Sequence, residues 1–120
     1  MIPLVGSLLE LFPITPNNAA LDRLEWKEFG NGLCMARLAR EGEAELVLYR
    51  VESDQPLCFL RHEHIGGEIY LVLSGSVEDE YGTYEKGDFV YLERGSVHRP
   101  RAVRGTIILV LWPNGIRIAD

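Results

Sequence analysis

Short apolar or alternating runs recur along this chain, and turn-forming residues separate them. Glu41-Gly42 lies between the first two runs and predicts a hairpin, while Pro100 and Pro113 end later runs because proline cannot donate to a β-ladder. The pattern predicts an all-β domain, either a sandwich or a barrel. The predicted strands are residues 32–40, 44–51, 57–64, 68–75, 76–82, 88–93 and 105–112.

The first thirty residues follow a different pattern. They contain a segment that permits a short helix, with Asn17 or Asn18 as its N-cap. We therefore divide the chain into an N-terminal arm of uncertain structure over residues 1–30 and a barrel over residues 31–120. Because the arm begins with an apolar segment and β-domains have edge strands, we expect the arm to pack on the barrel or on a second subunit, and the protein to be at least a homodimer.

The apolar segment at the start of the chain lacks the features of a targeting signal. It lacks a basic n-region and a small-residue cleavage site, and Pro3 and Pro13 interrupt it. No uninterrupted apolar run approaches the roughly 20 residues that span a bilayer. We expect no membrane partner and a cytoplasmic protein.

Composition and charge narrow the function classes. The 120 residues suffice for one compact core, and the net charge of −6 argues against nucleic-acid binding, which needs clustered Lys and Arg. One basic cluster is present, formed by Arg94, Arg99, Arg101 and Arg104. It is either a solvated loop or a source of an arginine that attracts an anionic substrate to a site.

All three histidines share one spacing pattern with a glutamate. His62 and His64 lie two residues apart, which places both imidazoles on one face of a strand. Glu68 follows the flexible pair Gly66-Gly67 and can fold back toward that face, and His98 comes from a distant hairpin. A single histidine is more often packed or solvated than a ligand, but this set suits one divalent transition metal ion, Fe, Zn, Mn or Ni.

The aromatic side chains near these residues have two interpretations each, whereas the two thiols have one. Tyr70, Tyr91 and Trp112 are candidates for lining a cavity behind the metal ligands, or are ordinary core aromatics. Cys34 and Cys58 lie in apolar strands without Cys-x-x-Cys spacing, so we expect buried thiols and no oxidising compartment.

The residues from 44 to 112 resemble the cupin superfamily, and the stretch RHEHIGGEIYLVLSGSVEDEYGTYEKGDFVYLERGSVH resembles its ChrR-type branch. The chain departs from the usual motifs at two points: no glycine shortly precedes His62, and Glu93 stands where proline is usual. The positions that match the two cupin motifs are His62, His64, Glu68 and Gly75, then Gly87, Gly95 and His98.

This resemblance implies a double-stranded β-helix, the jelly-roll cupin barrel, of about eight strands. ChrR-type members include the metal-binding output domain of an anti-sigma factor and relatives similar to acetylacetone-cleaving dioxygenases. We therefore expect a small metal-dependent, dioxygenase-like enzyme acting on a compact carbonyl or β-dicarbonyl compound. The alternative is a non-catalytic module, related to the cupin domain of the anti-sigma factor, that senses a metal, a ligand or an oxidant. The sequence shows no N-terminal Cys-x-x-Cys helical domain, so it corresponds at most to the output half of such a factor.

Overall fold

The computed structural model describes residues 4–7, 17–28, 31–59, 61–112 and 116–118. Within them the chain forms fourteen strands and one short helix. No helix in this part of the chain is long and apolar enough to cross a membrane. In chain order the elements are β1 (Leu4–Ser7), α1 (Asn18–Asp22), β2 (Lys27–Glu28), β3 (Leu33–Glu41), β4 (Ala44–Val51), β5 (Leu57–Cys58), β6 (His62–His64), β7 (Glu68–Ser74), β8 (Ser76–Asp79), β9 (Gly82–Glu85), β10 (Asp88–Leu92), β11 (Val97–His98), β12 (Arg101–Ala102), β13 (Ile107–Trp112) and β14 (Ile116–Ile118).

The strands form one large sheet and two small ones. The large sheet has the order β1-β10-β7-β13-β4-β3-β2, and the small sheets have the orders β11-β6-β14 and β5-β12-β8-β9. All ladders between these strands are antiparallel. The predicted all-β jelly roll is confirmed.

Alternation along the strands builds the core between the sheets. On β7, Tyr70 and Val72 are buried while Ile69 is 43% exposed, because successive side chains of a strand point to opposite faces. The buried cluster joins Tyr70 and Val72 of the large sheet to Val77 and Ala102 of a small sheet. Glu68 shares the parity of Tyr70 and therefore faces the interior as well.

The predicted strands are partly confirmed. The hairpin between β3 and β4 forms across Gly42, as predicted. The predicted strand 57–64 is two strands in different small sheets, β5 and β6. The predicted strand 76–82 ends at Asp79, because the Asp79 side chain accepts the backbone N–H groups of Tyr81 and Gly82 and so makes a turn before β9. Pro113 lies outside the described residues.

Part of the N-terminal arm belongs to the large sheet. Asn17 caps α1, since its side chain accepts the N–H of Ala20 at 3.0 Å. Farther along, Leu24 and Trp26 pack against the buried cluster that contains Leu48. Strand β1 pairs with β10, and β2 pairs with β3. Residues 1–3, 8–16 and 29–30 of the predicted arm lie outside the described residues.

Gly75 allows the chain at the end of β7 to approach the loop before β13 closely. Its φ is 74°, a left-handed conformation that favours glycine. A Cβ atom there would lie 2.3 Å from Thr106 Oγ1. The same Thr106 hydroxyl accepts the N–H of Ser76 at 3.1 Å, which fixes the start of β8 against the loop before β13.

Candidate metal centre and its cavity

The structure brings the four predicted ligands together in the interior. His62, His64, Glu68 and His98 are all buried, with relative exposures of 7%, 0%, 4% and 1%. Each offers one donor atom, and these four atoms lie within 4.8 Å of one another. His64 Nε2 lies 3.0 Å from Glu68 Oε2, and His62 Nε2 lies 3.0 Å from His98 Nε2.

Three strand relationships produce this cluster. His62 and His64 share the inner face of β6, while Glu63 between them is only partly buried and pairs with Arg117 at the surface. His98 of β11 is the direct cross-strand partner of His62. Glu68 opens β7 immediately after Gly67, whose φ of 88° turns the chain back toward β6.

Two polar side chains orient the imidazoles from outside the cluster. His98 Nδ1 lies 3.0 Å from Asp79 Oδ2, and since a carboxylate only accepts, Nδ1 carries the proton and Nε2 presents its lone pair to the centre. His64 Nδ1 lies 2.9 Å from Ser96 Oγ, and Ser96 O also accepts the His64 backbone N–H. Sequence reasoning missed Asp79 and Ser96. A metal-binding histidine usually has a polar partner for its second ring nitrogen, and a search for such partners among the polar residues of neighbouring strands and loops could have found both.

Both carboxylates near the histidines are held ionised. Burial alone would raise the pKa of Glu68, but the contact with His64 and the electrostatic effect of the three surrounding histidines lower it below its usual value. Burial would likewise raise the pKa of Asp79, but the hydrogen bond from His98 and those from the backbone of Tyr81 and Gly82 lower it. Trp112 Nε1 also donates to Glu68 Oε2 at 2.5 Å, which fixes the carboxylate.

The donor atoms fit a divalent transition metal ion. His62 Nε2 and His98 Nε2 cannot both carry a proton at 3.0 Å, so a lone pair faces the centre between them. His64 Nε2 is buried and has no aligned hydrogen-bond partner in the described chain, although Glu68 lies close to it. Imidazole nitrogens and one carboxylate oxygen around a common point are the donors that Fe, Mn, Ni and Zn accept.

A cavity of about 530 Å³ adjoins this cluster. His62, Glu68 and His98 contribute to its wall, as do Tyr70 and Trp112. Its volume lies within the range of roughly 300–1,000 Å³ that is typical of small-molecule pockets. The cluster therefore borders a space that can hold a small molecule.

Two predictions about neighbouring side chains are wrong. Tyr91 is 42% exposed and does not line the cavity, because its neighbours Val90 and Leu92 take the inner face of β10. Cys58 is exposed, since Leu57 takes the buried position of β5, and it contributes to the cavity wall. Cys34 is buried as predicted, and burial together with the nearby Glu52 raises the pKa of its thiol.

Comparison with known proteins agrees with the motifs. The sequence model of a family described as "ChrR Cupin-like domain" matches residues 17–114. No curated protein was found to match. A chain in the crystal structure of Rhodobacter sphaeroides SigE in complex with the anti-sigma ChrR is 32% identical, with 77% of this chain and 51% of that chain covered and a TM-score of 0.66. The present chain thus spans about half the length of that relative.

More distant structures share the fold alone. An acetylacetone dioxygenase from Acinetobacter johnsonii is 14% identical, with 79% of this chain and 72% of that chain covered and a TM-score of 0.71. The polyketide cyclase RemF from Streptomyces resistomycificus is 14% identical, with 82% of each chain covered and a TM-score of 0.65. The resemblance to ChrR-type cupins that the sequence indicates is confirmed.

Proposed function

Because the chain belongs to the ChrR cupin-like domain family, we propose that it binds one divalent transition metal ion through His62, His64, Glu68 and His98 and acts as a small dioxygenase-like enzyme on a compact carbonyl compound. One observation carries this proposal: the buried donor cluster forms part of the wall of a cavity. A structural metal site is closed by its protein ligands, whereas a catalytic site keeps a position open for water or substrate.

The residues around the cluster have separable roles in this proposal. Bound metal would supply Lewis acidity and a template for a carbonyl oxygen. Asp79 and Ser96 hold the imidazoles of His98 and His64 with Nε2 inward. Trp112 fixes the carboxylate of Glu68, and its ring contacts that of Tyr49 edge-on, with the ring centroids 5.9 Å apart.

The enzyme proposal is tested by metal analysis and oxygen consumption. Protein purified without added metal is analysed for its elements, and iron(II)-loaded and zinc(II)-loaded samples are given 2,4-pentanedione and related diketones in an oxygen electrode. We expect oxygen uptake by the iron form and none by the zinc form. His98→Ala should abolish uptake. Glu63→Gln changes a carboxylate that lies on β6 between His62 and His64 but faces away from the cluster, and it should retain uptake. No uptake with any diketone by an iron-loaded protein would remove the enzyme proposal.

A sensing role is the second candidate. The observation that favours it is the 32% identity to a chain of the complex between SigE and the anti-sigma ChrR. A sensor would change its metal coordination on meeting a ligand or an oxidant without turnover. A change in the visible spectrum of the cobalt(II)-substituted protein, in stoichiometric proportion to the added compound and with no oxygen uptake by the iron form, would support this role.

We also propose that the protein forms a homodimer. Ile69 and Tyr91 are cross-strand partners on the outer face of the large sheet, and both are more than 40% exposed. Adjacent exposed apolar side chains are a feature of interfaces. Light scattering at micromolar concentration should give twice the chain mass, and Tyr91→Lys should lower it. A monomeric wild type contradicts this part of the proposal.

A further inference from the structure

The cavity wall carries very little charge. Ten of its lining residues are aliphatic or aromatic, among them Leu57, Phe59 and Val110. No lysine or arginine of the described chain contributes to it, and Glu68 is its one acidic residue. A charged ligand buried there would lose its hydration without gaining an ion pair from the wall, which is costly.

The arginine cluster does not change this picture. Arg101 pairs with Glu78 at 3.2 Å, and Arg104 pairs with Asp54. Arg94 and Arg99 are exposed, and none of the four lines the cavity. The structure thus favours the solvated-loop interpretation of these residues over that of an anion attractor.

The charge beside the cluster is also balanced. Glu68 and Asp79 place two carboxylates at or directly behind the proposed ligands. Together they offset the charge of one divalent ion. An occupied centre would therefore leave no excess positive charge to draw an anion into the cavity.

Tyr70 supplies an unused hydrogen-bonding group at the cavity. Its side chain is 2% exposed and lines the cavity, and its hydroxyl oxygen is buried with no hydrogen-bond partner in the described part of the chain. The neighbouring Tyr84 differs: the two ring centroids lie 6.2 Å apart, but the Tyr84 hydroxyl donates to Asp79 Oδ1 at 3.3 Å. Buried hydroxyl groups in proteins nearly always have partners.

We propose that the cavity binds an uncharged molecule with an apolar body and an oxygen atom that accepts a hydrogen bond from Tyr70, which makes Tyr70 a specificity-determining residue. This inference rests on the proposed function, because it identifies the class of compound held beside the metal ligands. It excludes carboxylates, phosphates and sugar acids as preferred ligands.

A matched pair of probes tests the charge preference. Acetophenone and benzoate share a phenyl ring and a carbonyl group, but benzoate is an anion at neutral pH. Their dissociation constants are measured by calorimetry or ligand-observed NMR on the zinc-loaded and the metal-free wild type. We expect acetophenone to bind more tightly in both forms, by roughly tenfold or more, because benzoate must bury an unpaired charge. Benzoate binding as tightly as acetophenone in the zinc-loaded protein, or neither probe binding to it, overturns the proposal.

Two tyrosine variants test the hydroxyl. Tyr70→Phe should weaken acetophenone binding by about threefold to tenfold, the loss of one hydrogen bond. Tyr84→Phe removes a hydroxyl that already has a protein partner and should leave acetophenone affinity unchanged. Equal affinities in wild type and Tyr70→Phe overturn the role of Tyr70.

Elemental analysis of the same samples separates this inference from the proposed function. A protein that binds no metal refutes the metal site, while titration of the metal-free form still decides the charge preference of the cavity. A protein that binds metal but prefers benzoate refutes only the present inference.

Discussion

Replacing Asp79 by asparagine should weaken metal binding although none of the four proposed ligands is changed. Asp79 uses its two oxygen atoms for different tasks. Oδ2 accepts from His98 Nδ1 at 3.0 Å. Oδ1 accepts the backbone N–H groups of Tyr81 and Gly82 at 2.8 and 3.2 Å and the Tyr84 hydroxyl at 3.3 Å. The side chain is fully buried, so water cannot replace either contact.

Asparagine cannot perform both tasks, because it has one accepting oxygen and one donating NH₂ group. If its oxygen stays with the turn, the NH₂ group faces the His98 Nδ1–H. The imidazole then avoids a donor–donor clash by carrying its proton on Nε2 and no longer on Nδ1. A protonated Nε2 has no free lone pair and cannot bind a metal ion. If the oxygen turns to His98 instead, the NH₂ group faces the N–H groups of Tyr81 and Gly82 and strains the turn.

The expected loss of affinity follows from comparable partners of metal-binding histidines. Mutating such a partner typically weakens metal affinity by 10- to 100-fold, so we expect about 1.4–2.7 kcal/mol for Asp79→Asn. Glu78→Gln is the matched control. It removes the same formal charge one residue away, but the Glu78 side chain is 56% exposed and pairs with Arg101 outside the cluster. Its effect on metal affinity should be within about threefold of wild type.

Two measurements decide the outcome. Competition with a chelator of known zinc affinity gives the dissociation constants of the wild type and both variants. Long-range ¹H–¹⁵N NMR of the metal-free proteins reports which nitrogen of His98 carries the proton, a readout that a mere loss of stability would not change. Wild-type zinc affinity with the Nδ1–H tautomer in folded Asp79→Asn would show that Asp79 does not position His98. Equal losses of zinc affinity in Asp79→Asn and Glu78→Gln would mean that Asp79 acts only through its negative charge and not through its hydrogen bond to His98.

The sequence could predict the proposed metal ligands better than the side chains that hold them in place. His62 and His64 were predictable because a two-residue spacing places them on one face whatever the strand pairs with. The side chains that form hydrogen bonds with the histidines are set by tertiary contacts between distant parts of the chain. Asp79 lies in a strongly acidic hairpin and looks like a solvated charge, and only the turn before β9 buries it against His98. Ser96 is an ordinary loop residue until its approach to His64 is known.

The incorrect cavity prediction has a different origin. Strand β10 reads DFVYL, which is apolar on both faces, so alternation does not reveal which side is inside. The ladder resolves this: Val90 pairs with Tyr70, and Tyr91 pairs with Ile69. Tyr70 and Tyr91 therefore lie on opposite faces of one sheet, a fact fixed by register between strands and not by either strand alone.

Three further experiments test the site and the fold. Removing the metal with a chelator should lower the melting temperature, because an ion at a hundredfold excess over its Kd stabilises the folded state by about 2.7 kcal/mol; an unchanged temperature after complete removal would contradict this coupling. At equal free zinc, Glu68→Gln should bind with reduced affinity and His64→Ala should lose the metal more severely, as elemental analysis can show; unchanged affinity in Glu68→Gln would leave three histidine ligands. Gly75→Ala and Gly42→Ala both place a side chain at positive φ, 74° and 58°, which costs about 1–2 kcal/mol of unfolding free energy. Only at Gly75 does the new Cβ meet Thr106, whereas nothing lies within 4 Å of it at Gly42, so urea denaturation should show a further loss of about 1–3 kcal/mol for Gly75→Ala. Equal losses would mean that the loop carrying Thr106 moves to accommodate the added methyl group. The close contact between Gly75 and Thr106 would then contribute nothing measurable to stability.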